Sequence, residues 1–206
     1  LSLYTNSTGF YNTAVGSSAL YLNTTGSRNV AVGITALYRN STGFDNVGIG
    51  NDALNKNTVS ENTAVGASAL YTNVAGNRLT AVGYNSLYSN TTNGNDNTAV
   101  GHFSLYTNST GSNNTAVGAA ALFTNSTGNA NTAIGSNVLR INDTGSENVG
   151  VGSYVLSNNN ASHNTAIGSL SMYLNDTGFR NSALGYQSLQ SNDDGSDNVA
   201  IGYYAL

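Results

Sequence analysis

The chain has 206 residues, enough for one ordinary domain, but 24 glycines, 8% charged residues and no proline, cysteine or tryptophan set it apart from one. A formal net charge of −4 and a pI near 4.7 argue against a nucleic-acid partner, and the lack of cysteine excludes a disulfide framework. No apolar run approaches the roughly 18 residues that a membrane-spanning helix needs, and no segment reads as a signal or transit peptide. So many small polar residues suggest disorder, yet a disordered chain has no need of the register described next.

The chain begins partway through a repeating unit. Leu1-Ser2-Leu3-Tyr4-Thr5-Asn6 is the second half of a copy, and the first complete copy opens at Asn12. From there Asn-Thr-Ala-Val-Gly-x-x-Ala-Leu-Tyr-x-Asn-x-Thr-Gly-x-x recurs to Tyr204-Ala205-Leu206, which stops midway through another. Twelve marker glycines, Gly16 to Gly202, lie 16, 17 or 18 residues apart. A unit so short cannot enclose a core alone and must stack on its neighbours. The spacing predicts an all-β parallel solenoid, a β-roll or β-helix of about twelve 16–18-residue coils. Helix is disfavoured because a marker glycine, and usually a turn glycine, interrupts every coil. At about 4.8 Å per coil the rod would be roughly 58 Å long. Residues 1–206 read as one repeat domain, uncapped at both ends and expected to belong to a longer fibre.

Each coil opens with an Asn column and a three-residue strand. Three residues before the marker Thr occurs seven times, Val four times and Ser once. The next position is always small: Ala14, Ala31, Gly48, Ala64, Ala81, Ala99, Ala116, Ala133, Gly150, Ala166, Ala183 and Ala200. The residue before the marker is always aliphatic, as in Val15, Ile49 and Leu184, and four residues after it comes Leu or, once, Met172. The aliphatic and Leu columns are the expected interior. By strand alternation the small column then faces the other way, where nothing larger than a methyl fits. Either the opposite wall of a narrow coil or another subunit would impose that limit; another subunit is the preferred expectation. The Thr column shares the side of the aliphatic residues, which argues against a flat ice-facing array.

After the core Leu stands an aromatic stripe, Tyr4, Tyr21, Tyr38, Tyr71, Tyr88, Tyr106, Phe123 and Tyr173, interrupted by Asn55, Arg140, Ser157 and Gln190. It is expected outside, either packing between subunits or contacting a sugar or surface. A second Asn column follows, 11 residues after the first in every complete coil. Stacked asparagines there can bond up and down the rod. All length variation falls in the loop beyond it, where Gly26, Gly43 and Gly76 are expected to supply positive φ.

Candidate chemistry is sparse. His102 and His163 occupy different coils and different repeat positions, and the carboxylates Asp45, Glu61, Asp96, Glu147, Asp193, Asp194 and Asp197 fall in the variable loop. These read as solvated surface groups, so no catalytic, cofactor-binding or metal residue is expected. Asp193-Asp194-Gly195-Ser196-Asp197 alone has the density of a calcium-binding roll. Asn6, Asn23, Asn40, Asn90, Asn108, Asn125, Asn142 and Asn175 sit in Asn-x-Ser/Thr, a glycosylation pattern, but turn hydrogen bonding is the expected role.

The run Asn62-Thr63-Ala64-Val65-Gly66 resembles the head repeats of YadA-like trimeric autotransporter adhesins. The run Asn114-Thr115-Ala116-Val117-Gly118 through Ala121-Leu122 to Asn125-Ser126-Thr127-Gly128 is similar to arrays in phage and bacterial tail fibres. The resemblance implies a left-handed roll, three chains side by side, and an extracellular, cell-surface or virion location. The expected function is a non-enzymatic fibre or adhesin segment without cofactors, partnered by its own copies and by a host-surface glycan or protein. The alternative is a glycan- or surface-binding module using the Tyr stripe and turn loops. Neither nucleic-acid binding nor membrane insertion is expected of this segment.

Overall fold

The computed structural model describes residues 1–206 and contains strands and turns but no helix. Seventeen short strands form two parallel sheets. The longer holds twelve strands in chain order, one per coil, from Thr13–Val15 to Val199–Ile201. The shorter holds five, from Lys56–Asn57 to Thr124–Asn125, and single bridges through Ile141, Asn158 and Leu174 carry it further. The chain is therefore a parallel β-solenoid.

Register is one-to-one throughout. Ala14 pairs with Ala31 and Ala116 with Ala133. The short and long coils keep it too, Val47 pairing with Thr63 and Thr80 with Thr98, because the loop absorbs the missing or extra residue.

The interior is made of three columns. From Leu20 to Leu156 the Leu column is fully enclosed, with Met172 in the same place. The position before them holds Ala, Ser or Val, as at Ala36, Ser104 and Val138, also buried. The third column is the small one. Ala31, Ala64, Ala81, Ala99, Ala116, Ala133 and Ala166 are 0% exposed, Gly48, Gly150, Ala183 and Ala200 are buried, and Ala14 is half-buried against the same cluster. This corrects the expectation that the small column faces another subunit. It is the aliphatic column that points out: Val15 is 58% exposed, Ile134 41% and Leu184 48%. A coil of this length encloses a space about one Leu wide, so only a methyl fits opposite the Leu, and alternation sends the β-branched residues outward.

Left-handed backbone turns the Leu into that space, with φ 50° at Leu20 and 48° at Leu122. Such a conformation costs roughly 1–2 kcal/mol per residue, and burying a Leu side chain returns about 1.5–3 kcal/mol. The Leu20 N–H also donates to the Ala36 carbonyl of the next coil (3.0 Å). Burial wins. The marker glycines are bound twice over: Gly118 has φ 129°, and a Cβ there would run into the Gly135 carbonyl of the next coil.

Turn glycines serve a different purpose from the one expected. Gly26 is not in the left-handed region; non-glycine residues two positions on, Arg28 (φ 58°) and Asp45 (φ 55°), take that conformation instead. Gly26 is glycine because a Cβ would meet Asn23 Oδ1, the Gly43 carbonyl and Asn40 Nδ2.

Volume is traded between core columns. Val138 and Val155 replace the usual Ala, and between them Gly150 replaces Ala in the small column. A Cβ at Gly150 would lie 2.5 Å from Val138 Cγ1, whereas at Gly48 the nearest atoms are 3.3 Å away. Gly150→Ala is therefore expected to destabilise the rod by about 1–3 kcal/mol, Gly48→Ala by clearly less, and Val138→Ala added to Gly150→Ala to recover much of the loss. Thermal unfolding followed by circular dichroism measures all three; equal losses at Gly48 and Gly150 would refute the exchange.

Candidate functional site

The surfaces of the rod are set by what each column does with itself. Both asparagine columns form buried ladders. In the second, Asn125 Nδ2 donates to Asn108 Oδ1 (2.9 Å) and to the Gly128 carbonyl (2.9 Å), while its Oδ1 accepts from Asn142 Nδ2 (3.0 Å). In the first, the Asn131 N–H donates to Asn114 Oδ1 (3.0 Å) and Asn131 Nδ2 to the Gly145 carbonyl (2.8 Å). Where the loop is one residue shorter and lacks its glycine, the Val59 or Ala161 carbonyl takes the same bond (2.7 Å each). Leu79 breaks the first ladder: its N–H takes Asn62 Oδ1 (3.0 Å), but it has no amide oxygen to pass on. Of the eight glycosylation-pattern asparagines, all but Asn6 are fully buried, which bars glycan attachment to the folded rod at those seven.

The aromatic stripe lies on the outside as two stacks. Tyr21 sits between Tyr4 and Tyr38, with ring centres 5.1 and 5.4 Å away and planes within 12°. Tyr71, Tyr88, Tyr106 and Phe123 form the second stack at 5.2, 5.1 and 5.1 Å. Cations close it: Lys56 Nζ is 4.9 Å from the Tyr71 ring centre and the Arg140 guanidinium 5.4 Å from that of Phe123. Tyr173 stands apart, edge-on to Tyr154 at 6.3 Å. Within the stacks each ring covers the face of the next, so Tyr21, Tyr88 and Tyr106 offer solvent only edges and hydroxyls. Their flat faces hold coils together, at about 0.5–1.5 kcal/mol per pair.

The outer face of the long sheet is the surface that column reasoning misplaced. The Thr/Val column and the aliphatic column both point outward, so the face bears only Thr, Val, Ile, Leu and Ser along twelve strands. Thr165, Ile167, Leu184, Val199 and Ile201 line a shallow apolar depression in it. The signal that could have found this face was the coil length, which leaves no room inside for β-branched side chains opposite Leu.

Charged groups pair along the rod instead of converging. Arg28 and Asp45, Arg78 and Asp96, and Arg180 and Asp197 form two-pronged ion pairs between adjacent coils, with Nε–Oδ1 distances of 2.7, 2.6 and 2.6 Å. Hydrogen bonding to the guanidinium lowers the pKa of each Asp, and the same bond raises that of each Arg. Asp197, from the acidic Asp-Asp-Gly-Ser-Asp run, is thereby engaged. His163 Nε2 is 3.4 Å from Glu147, while His102 lies among aromatic rings two coils beyond Glu61. No group of three or more His, Asp or Glu side chains converges as metal ligands would. The largest concavity, about 410 Å³, opens beside the short loop at Asn158 and Asn160 and includes Asp176 and Asp193; Asn160 Nδ2 bonds Asp176 Oδ1 at 2.9 Å across it.

Compared with protein-family models, with curated proteins and with solved structures, the chain matches none.

Asn125→Asp sets a carboxylate against the Asn108 and Gly128 oxygens, and is expected to cost more than about 2 kcal/mol at pH 7. The loss should shrink at pH 3, where the protonated acid can donate again, as urea unfolding at the two pH values would register. The Tyr88 phenol is pushed above its usual pKa, first by burial and then by the Tyr106 and Tyr71 hydroxyls. A raised folded pKa means stability that is complete below pH 10.0 and lost as pH climbs through the folded value. Melting temperature should therefore fall above pH 10, with part of the phenolate absorbance appearing late; a stack that titrates like free tyrosine would contradict this.

Proposed function

We propose that the chain is a non-enzymatic structural segment of an extracellular fibre, of the tail-fibre shaft or adhesin-head kind, in which copies pack side by side through the outer face of the long sheet. The location would be extracellular, on a cell surface or a virion. The observation that carries this reading is the uncharged, aliphatic-rich face running the length of the twelve-stranded sheet. Exposed apolar surface of that continuity marks an interaction site. A surface that repeats at one strand spacing is self-complementary along its whole length, which suits another copy of the same rod better than a globular partner. Three copies is the number implied by the resemblance to trimeric adhesin heads. Attachment to a host-surface glycan or protein would then be a property of the fibre's exposed corners and loops.

Light scattering on the purified chain tests the packing. A mass near three times 21.1 kDa is expected. Val100→Lys with Val117→Lys, both on the outer face, should yield a monomer whose circular dichroism is unchanged. A monomeric parent chain would overturn side-by-side packing. It would also leave the Thr-x-Val face open to water, making ice-growth inhibition the activity to assay next.

A further inference from the structure

The two positions just after the marker glycine are both small or polar in five of the twelve coils, as at Ser17-Ser18, Ala67-Ser68 and Ser136-Asn137, and include a lone Ile34, Tyr154 or Leu170 in three others. Twice they hold three rings instead. Tyr84 stacks on His102 (5.6 Å, planes 16° apart) and meets Phe103 edge-on (5.6 Å), and His102 meets Phe103 edge-on at 4.2 Å. Six coils further along, Tyr186 stacks on Tyr203 (5.4 Å, 16°) and meets Tyr204 edge-on (5.7 Å), and Tyr203 meets Tyr204 edge-on at 4.4 Å. These triads depart from the repeat in composition, yet they share one geometry. At about 4.8 Å per coil they stand roughly 29 Å apart on the same corner of the rod.

Each triad leaves a ring face with no stacked ring against it. The column neighbour of Tyr84 away from His102 is Ala67, that of His102 away from Tyr84 is Ala119, and that of Tyr186 away from Tyr203 is Ser169. A methyl or hydroxymethyl stands where the next ring of a stack would be. Tyr84 is 52% exposed in mid-rod, with coils on both sides of it. Phe103 joins the first triad to the stripe, 5.2 Å from Tyr106.

We propose that the two triads are carbohydrate subsites, each taking the apolar face of a pyranose ring on Tyr84 or Tyr186, and that one glycan chain lies along the rod across both. The surroundings select the ligand class. Ala67, Ser68, Asn85 and Ala119 beside the first triad carry no charge, which disfavours an ionic partner. A sugar combines a C–H face for the open ring with hydroxyls for Ser68 and Asn85. Beside the second triad stands Gln187, whose covered amide oxygen has no hydrogen-bond partner. A site duplicated along a straight corner suits a ligand that is itself linear and repeating. This site rests on neither the outer-face packing nor the number of chains in the fibre.

Isothermal titration of the chain in its native oligomeric state with cellohexaose, chitohexaose and xylohexaose tests it. At least one should bind. Tyr84→Ser, His102→Ser, Tyr186→Ser and Tyr203→Ser introduce a residue the same column already carries at Ser17 and Ser136, so the coils should stack as before; equal melting temperature and scattering mass check this. The four together are expected to weaken binding by about tenfold or more. The pair Tyr84→Ser and His102→Ser alone should lower the stoichiometry or the affinity. Failure of all three hexaoses to bind at millimolar concentration, or a smaller loss in the fourfold variant, overturns the assignment, while the light-scattering result for the fibre stands independently.

Discussion

Outside the variable loops, residues of this chain lie against their own counterparts one coil away, at one strand spacing of about 4.8 Å, and the rest of the structure follows from that constraint. A side chain survives in a column only if it can stack on itself. Asparagine can, because it carries both a donor and an acceptor, so each amide gives one bond and receives one. Flat rings can, and Tyr71, Tyr88 and Tyr106 do. Like charges gain nothing from stacking, and the three Arg side chains of the loop column each meet an Asp in the next coil, as Arg28 meets Asp45 and Arg180 meets Asp197.

These self-interactions differ in weight. The ion pairs are solvated, and such pairs contribute little to stability. The asparagine ladders are enclosed, so an amide removed from one would leave donors and acceptors stranded at about 1–3 kcal/mol each. Between them lies a core only one Leu wide, in which left-handed backbone is tolerated because it aims the Leu inward. That narrowness makes the rod sensitive to a single methyl, as the exchange of Gly150 against Val138 indicates.

The interior varies only by small exchanges such as Val138 for Ala, so most of the individuality lies outside. The outer sheet face is uniform as well, and a uniform face suits indefinite self-packing. The corner after the marker glycine is different: it tolerates Ser, Ala, Asn, Tyr or His without disturbing the ladder beneath. Two ring triads of one geometry placed there, six coils apart, are the departures on which a specific ligand could act.

Much of this was legible in the one-dimensional pattern. The period of the glycines determined a parallel solenoid in register, the fixed interval between asparagines determined two walls and a loop, and the recurrence of Asn at both places determined the ladders. These are properties of repetition, and repetition is visible without coordinates. What the pattern left open was which way the strand faces, because alternation says only that Ala31 and Val32 point to opposite sides. Tertiary structure decided it: Leu37 and its equivalents fill the narrow coil, so Ala goes in and Val comes out. The closure of the coil likewise decided that Gly26 answers to crowding by stacked asparagines and not to its own φ. It also brought Tyr84, His102 and Phe103 into one cluster, since contact between coils depends on the register that closure creates.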